Sequence, residues 1–168
     1  SARVDVLARI AAALRKVDVR VAMAIGDNDP AALGEIPNDW LVRPSLAQVT
    51  LLEQAAVLIT HGGNNSVTEA LTFGVPMLVM PFSTDQFDGA AAVERNLAGI
   101  ALDPNSASRP LIAGAVRGLL RNPPPLPSKL GARLRADPGP EVAFEAMSTL
   151  PDLHTVIPDP RERVAVTS

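Results

Sequence analysis

Short apolar segments alternate with helical segments from the start of the chain to about residue 102. The apolar segments contain many β-branched residues and cover residues 19–25, 40–42, 57–60, 75–81 and 100–102. The first helical segment carries an apolar stripe with steps of three or four residues, formed by Leu7, Ile10, Leu14 and Val17. Strands without a polar alternate face are buried on both sides, and their alternation with helices is typical of a parallel sheet. We therefore predict an α/β fold with a doubly wound, Rossmann-like parallel sheet.

The chain begins with a helical segment, whereas a doubly wound sheet normally begins with a strand that lies in its middle. The predicted sheet thus lacks its first strand: either that strand is absent, or another segment or another chain supplies it. We predict one domain over residues 1–150. Residues 151–168 are polar, contain prolines and have no periodicity, so they are predicted to form a loose C-terminal tail.

The amino-acid composition argues against several classes of binding partner and site. A chain of 168 residues with 47% hydrophobic and 20% charged residues can bury the core of one globular domain. Its net charge of −3 argues against nucleic acid or an anionic membrane as the main partner. Without cysteine, disulfides and thiolate metal sites are excluded. No apolar run is long enough to span a bilayer and no signal segment begins the chain, so we expect a cytoplasmic location.

The first candidate site follows the predicted strand at residues 57–60 and contains the run His61-Gly62-Gly63-Asn64-Asn65-Ser66. Glycines allow a ligand to approach the backbone, and the start of the next helix offers free N–H groups with partial positive charge. Such a loop suits a diphosphate, to which His61 and Ser66 can donate hydrogen bonds, while Glu69 can accept from sugar hydroxyls. The alternative is structural, because Ser66 and Glu69 also have the spacing of a capping box.

The second candidate site covers residues 81–89 and contains an adjacent carboxylate and amide, Asp85 and Gln86. Such a pair provides acceptors and donors together and can hold a sugar ring with several hydroxyls. Here too a capping box, formed by Ser83 and Gln86, is the structural alternative.

Taken together, residues 60–102 closely resemble the donor-binding signature of family 1 glycosyltransferases, the UDP- or TDP-sugar enzymes of the two-domain GT-B architecture. The matching positions are His61-Gly62-Gly63, Asn65-Ser66, Glu69-Ala70, Gly74-Val75-Pro76, Pro81, Asp85-Gln86, Ala90 and Gly99. Weaker similarity extends over about residues 5–150. The chain is most similar to the bacterial enzymes of antibiotic and macrolide biosynthesis, and it corresponds to their C-terminal, donor-binding domain.

The resemblance implies a role for each matching residue. His61 would contact the α-phosphate with the backbone of Gly62 and Gly63 close by, and Asn65 and Ser66 would bind phosphate oxygens. Glu69 would bind the ribose hydroxyls, and Asp85 and Gln86 would bind hydroxyls of the transferred sugar. Gln48 would lie near the base and the ribose. Ser45 stands where the family usually has an aromatic residue, which weakens the prediction of base stacking. The family's catalytic base is a histidine of the N-terminal, acceptor-binding domain, which this chain does not contain.

We therefore expect the donor-binding half of a glycosyltransferase that moves a sugar to a small-molecule acceptor, inactive without an acceptor-binding domain or subunit. We expect no cofactor and no metal, because glycines and a helix N-terminus can neutralise a diphosphate. Two alternatives remain: a separate donor subunit of a two-chain enzyme, and a non-catalytic nucleotide-sugar-binding module. A dehydrogenase has little support, since no G-x-G-x-x-G follows a strand.

Overall fold

The computed structural model describes residues 3–136 and 164–167. The strands, numbered in chain order, are β1 Arg20–Ala24, β2 Leu41–Arg43, β3 Ala55–Thr60, β4 Met77–Val79, β5 Gly99–Ala101 and β6 Val164–Thr167. The helices are α1 Val4–Leu14, α2 Gln48–Leu52, α3 Asn64–Phe73, α4 Thr84–Arg95, α5 Arg109–Arg121 and α6 Pro125–Ala136, with a 3₁₀-helix at Pro30–Leu33.

The six strands form one sheet in the order β2-β1-β6-β3-β4-β5, and every pair of neighbours is parallel. Helices cover both faces, so the predicted doubly wound, Rossmann-like α/β fold is confirmed.

Each face of the sheet packs on its own apolar core because alternate residues of a strand point to opposite faces. On the first face, α1 and α5 pack through Leu14 and Val116 against Val57 and Ile59 of β3. On the second face, α2, α3 and α4 pack against the remaining side of the same strands, including Leu58. α6 extends the second face by packing against α3.

The prediction of a loose tail is wrong for the last described segment. Residues 164–167 form β6, which lies in the centre of the sheet between β1 and β3. Val166 aligns with Ala22 on one side and with Leu58 on the other, and it is 1% exposed. The middle position is therefore filled by another segment of the same chain, one of the alternatives open at the sequence level. Residues 137–163, which include most of the predicted tail, lie outside the described residues.

Two helix boundaries differ from the sequence prediction. The spacing of Val49, Leu52 and Ala56 predicts a helix over residues 48–56, but α2 ends at Leu52, and Ala55 and Ala56 belong to β3. The three prolines at residues 123–125 predict a break with a helix only from about residue 128, but α6 begins at Pro125. Proline is tolerated in the first turn of a helix, where its missing N–H would have no intrahelical acceptor.

Candidate functional site at the carboxyl ends of the central strands

The turn from β3 into α3 requires glycine at position 62. Gly62 has φ +89°, and a Cβ there would lie 2.7 Å from Cγ1 of Val79. A side chain would therefore suffer both backbone strain and a clash with β4. The Gly62 N–H donates to the hydroxyl of Thr60 at 3.2 Å, which fixes the chain as it leaves the strand. The conformation of the turn therefore explains why glycine occupies position 62.

The N-terminus of α3 is open toward this turn. Gly63 is the N-cap and provides no side chain to the first turn, and the first helical hydrogen bond runs from Val67 N–H to Gly63 C=O at 3.0 Å. The N–H groups of Asn64, Asn65 and Ser66 therefore have no intrahelical acceptor, and the helix dipole adds partial positive charge. Such a terminus is suited to bind an anion.

His61 lies against this helix start. Its Nε2 is 2.8 Å from the position that a Cβ of Gly63 would take, so glycine at 63 leaves the room that the imidazole occupies. The side chain is half-buried, and within residues 3–136 and 164–167 it has no hydrogen-bond partner. The imidazole is thus close to the open N–H groups and has its own hydrogen-bonding capacity unused by the described part of the chain.

Gln48, Ser66 and Glu69 form a hydrogen-bonded group, called here the Gln48 cluster. The Gln48 amide donates to the Glu69 carboxylate at 2.7 Å and to the Ser66 hydroxyl at 3.2 Å, and all three residues are half-buried. The capping-box alternative for Ser66 and Glu69 is wrong, because the N-cap is Gly63 and Ser66 is already the third residue of α3. The structure instead joins α2 and α3 through these side chains.

In the second loop the structural alternative is correct. The side-chain oxygen of Gln86 accepts hydrogen bonds from the N–H groups of Phe82 at 2.8 Å and Ser83 at 3.3 Å, as in a capping box at the start of α4. Gln86 therefore uses its oxygen locally, and its NH₂ group is the part suited to a ligand. Asp85 lies in the first turn of α4, but its side chain lies outside the described part of the chain.

A cavity of about 370 Å³ opens at the carboxyl ends of β6, β3 and β4. His61 and Gln86 line it, so the structure brings together one predicted residue from each loop. The cavity is also lined by Arg3 at the start of α1 and by Thr167 at the end of β6. Sequence reasoning missed both residues, because the β-branched run at residues 164–167 is only four residues long and gives a weak strand signal.

Ser45 is not part of this arrangement. It is exposed in the segment between β2 and α2, and neither the cavity nor the Gln48 cluster includes it. Asn65 is exposed in the first turn of α3. The predicted site residues thus form three groups. The first is the start of α3 with His61, the second is the Gln48 cluster beside it, and the third is Gln86 across the cavity.

Charge near the cavity is partly paired. The Arg3 guanidinium donates to Asp5 at 2.7 Å and holds the pKa of that carboxyl below its ordinary value. Arg9 also lies 3.7 Å from the same carboxylate.

Among the described residues, no three His, Cys, Asp or Glu side chains come together as a metal site. No described helix has the length and apolar character needed to cross a bilayer.

The family model for "UDP-glucoronosyl and UDP-glucosyl transferase" matches residues 3–124, which is more than half of the chain. Among curated relatives, the uncharacterized UDP-glucosyltransferase YojK of Bacillus subtilis is 34% identical over 106 residues, covering 62% of this chain and 26% of the relative. UDP-glucuronosyltransferase 2A3 of Cavia porcellus is 32% identical over 118 residues, covering 68% of this chain and 21% of the relative. The chain therefore spans about a quarter of the length of such relatives.

Solved structures agree with the sequence comparison. CalG4, the calicheamicin glycosyltransferase, matches with a TM-score of 0.75 and 26% identity, over 88% of this chain and 40% of that one. The glycosyltransferase of kitacinnamycin matches with a TM-score of 0.67 and 31% identity, over 86% of this chain and 37% of that one. The sheet, the glycine turn and both comparisons lead to one conclusion: the chain belongs to the family of UDP-glucuronosyl and UDP-glucosyl transferases.

Proposed function

We propose that this domain binds the donor of a sugar-transfer reaction, a UDP- or TDP-sugar, and that a second domain or subunit binds a small-molecule acceptor. The observation that carries the proposal is the open N-terminus of α3 beside the half-buried imidazole of His61, at the carboxyl edge of a parallel sheet. Ligands of doubly wound folds bind at that edge, where the strand order reverses. Family membership supports a nucleotide sugar as the ligand.

The diphosphate would lie against the first turn of α3. Backbone N–H groups of Asn64 and Asn65 can donate to phosphate oxygens, and His61 can donate from its imidazole. Negative charge on the diphosphate grows as the sugar leaves, so these donors would stabilise the transition state more than the bound donor. We further propose that no metal ion is needed, because the helix N-terminus provides partial positive charge and His61 provides a hydrogen-bond donor.

The Gln48 cluster would hold the ribose. A carboxylate accepts hydrogen bonds from two neighbouring hydroxyls, and Glu69 lies one helical turn from the phosphate-binding residues. The bond from the Gln48 amide keeps the Glu69 carboxylate in one orientation before the ligand arrives. Ser66, the third residue of α3, accepts a hydrogen bond from the same amide. Across the cavity, Gln86 and Asp85 would bind hydroxyls of the transferred sugar.

Isothermal titration of the 168-residue chain with UDP and TDP tests the phosphate site. We expect His61→Ala to weaken binding about tenfold, because it removes one hydrogen bond to a charged group. The matched control is His154→Ala, which changes the chain's other histidine and is expected to leave affinity unchanged. Equal affinities with magnesium and with a chelator would support the metal-free site. Unchanged affinity in His61→Ala would contradict the phosphate role.

The ribose role is tested with Glu69→Ala, for which we expect an affinity loss of about 1–3 kcal/mol. The exposed residue Glu53, at the end of α2, gives a matched control as Glu53→Ala. Thermal unfolding of both variants is measured in parallel, because Glu69 also joins α2 to α3. If Glu69→Ala lowers the melting temperature but not the affinity, Glu69 is a structural link and the ribose role is wrong.

A further inference from the structure

We propose that Glu94 and Arg43 keep the two edges of the sheet from pairing with each other in neighbouring copies of this chain. β2 and β5 are the outermost strands, and within residues 3–136 and 164–167 each pairs with another strand on one side only. The outer side of each strand therefore presents backbone N–H and C=O groups to its surroundings. Such edges pair with strands of other molecules unless they are protected. The proposal concerns self-association and does not depend on the proposed ligand.

At the first edge, the N–H group of Ala101 in β5 points away from β4. The N–H of Leu102 donates to the C=O of Val79 at 2.9 Å, so Leu102 faces β4. Ala101 faces outward, because the backbone groups of successive residues in a strand point to opposite sides. The Glu94 carboxylate, near the end of α4, accepts the outward N–H of Ala101 at 3.0 Å. A second strand would therefore meet an N–H group that is already hydrogen-bonded.

At the second edge, the C=O group of Val42 in β2 points away from β1. The N–H of Ile25 donates to the C=O of Arg43 at 3.0 Å, so Arg43 faces β1 and Val42 faces outward. The Arg43 guanidinium donates to the outward C=O of Val42 at 2.8 Å. Both residues that provide these side chains, Glu94 and Arg43, are exposed. Each edge strand is also only three residues long, which leaves few other groups to pair.

The two groups that these side chains occupy would bond to each other if two copies joined edge to edge. All neighbouring strands are parallel, so a second copy in the same orientation would bring its β2 beside β5 as a further parallel strand. In a parallel ladder, one residue bonds to two residues that lie two positions apart on the next strand. Val42 of the second copy would thus donate to the Gly99 C=O and accept from the Ala101 N–H. Because this contact joins two different surfaces, it can repeat from copy to copy.

The side-chain hydrogen bonds remove the gain from such pairing. The ladder bond between Ala101 and Val42 would replace two hydrogen bonds that the separate chains already make, one through Glu94 and one through Arg43. Without Glu94, the Ala101 N–H bonds only to water, and an intermolecular ladder bond then contributes its usual net stability. We therefore expect removal of either side chain to favour association.

Light scattering of the whole chain over a range of protein concentrations tests the proposal. We expect the mass of Glu94→Ala to rise with concentration to about twice that of the parent or more. Glu94→Gln is the matched control, because it loses the same charge but keeps a side-chain oxygen that can accept the Ala101 N–H, so its mass should follow the parent. Thermal unfolding shows which variants are folded. A folded Glu94→Ala with the mass of the parent, or equal association of both variants, overturns the proposal.

Ala101→Pro shows whether the Ala101 N–H makes the contact between copies. Proline has no N–H and is tolerated in edge strands. In the Glu94→Ala background, we expect Ala101→Pro to return the mass to that of the parent. Association that persists in the double variant would contradict the assignment to β5.

Arg43→Ala repeats the test at the other edge and decides the question if Glu94→Ala is not folded. Its mass should also rise with concentration, because the Val42 C=O loses its side-chain donor. The matched control is Arg95→Ala, which loses the same charge at an exposed position in the last turn of α4 and should keep the mass of the parent. Equal masses of Arg43→Ala and Arg95→Ala would show that Arg43 does not protect this edge, and the proposal would be wrong.

Discussion

Two buried threonines end neighbouring strands, and their hydroxyl groups have different surroundings. Thr60 is 2% exposed and its hydroxyl accepts the N–H of Gly62. Thr167 is 3% exposed, and within residues 3–136 and 164–167 its hydroxyl has no hydrogen-bond partner. A buried hydroxyl without a partner costs free energy, whereas one that satisfies a backbone N–H contributes to stability. The same substitution should therefore have opposite effects at the two positions.

We expect Thr167→Val to raise the free energy of unfolding by about 1 kcal/mol, because valine keeps the shape of threonine and removes the unsatisfied hydroxyl. Thr60→Val is the matched variant and should lower the free energy of unfolding by about 1–2 kcal/mol, since the Gly62 N–H loses its acceptor. Urea unfolding of both variants measures the difference. Destabilisation by Thr167→Val would show that the hydroxyl has a partner in the folded protein.

The Gln48 cluster is the second feature at the residue scale. Gln48→Ala leaves Glu69 without its hydrogen-bond donor, so the carboxylate is no longer held in one orientation. We expect UDP affinity to fall by up to about 1.5–3 kcal/mol, the range for hydrogen bonds to charged groups. Gln54 is an exposed glutamine between α2 and β3, and Gln54→Ala serves as the control. Calorimetry that finds equal affinity in the two variants would remove Gln48 from the binding site.

At the scale of elements, the turn between β5 and α5 depends on one carboxylate. Asp103 accepts from the Asn105 N–H at 2.8 Å and from the Ser106 hydroxyl at 2.9 Å. These bonds hold the pKa of Asp103 below its ordinary value. Because the folded pKa is lowered, folding favours the charged form. The resulting stability is fully present above the ordinary pKa of about 4 and is lost as the pH falls through the lowered value.

The expected result is that Asp103→Asn lowers the urea midpoint at neutral pH and that its difference from the parent shrinks below about pH 4. The exposed residue Asp18 forms no hydrogen bond within the described part of the chain, and Asp18→Asn serves as the control. Unfolding curves at a series of pH values compare the three proteins. A difference between Asp103→Asn and the parent that does not change with pH would refute the electrostatic explanation.

At the scale of the whole molecule, a sugar-transfer site needs donor and acceptor in contact across a cleft. Of the two histidines in the sequence, His61 lies at the proposed phosphate site, and His154 lies outside the described residues. We therefore expect the 168-residue chain to bind UDP or TDP but to transfer no sugar to small hydroxyl-bearing acceptors. Chromatographic detection of glycosylated product, with a full-length relative as the positive control, measures this. Multiple turnovers by the purified chain would contradict the proposal.

The sequence by itself determined the fold class and the glycine-containing turn that follows β3. Apolar strands between helices predict a parallel sheet because burial on both faces leaves no polar alternate positions. The turn at His61-Gly62-Gly63 could also be predicted, since its requirement for glycine arises from local backbone conformation. In these cases the determining interactions lie within a few residues along the chain.

The tertiary structure decided what depends on residues far apart in sequence. The sequence left Ser66 and Glu69 open between capping and binding, and only the approach of Gln48 from α2 showed what their side chains contact. Residues 164–167 lack the length for a clear strand signal, and they form a strand because β1 and β3 leave a position that must be hydrogen-bonded. Pairing with distant strands is a property of the assembled sheet, and it adds to the weak strand preference of this four-residue segment.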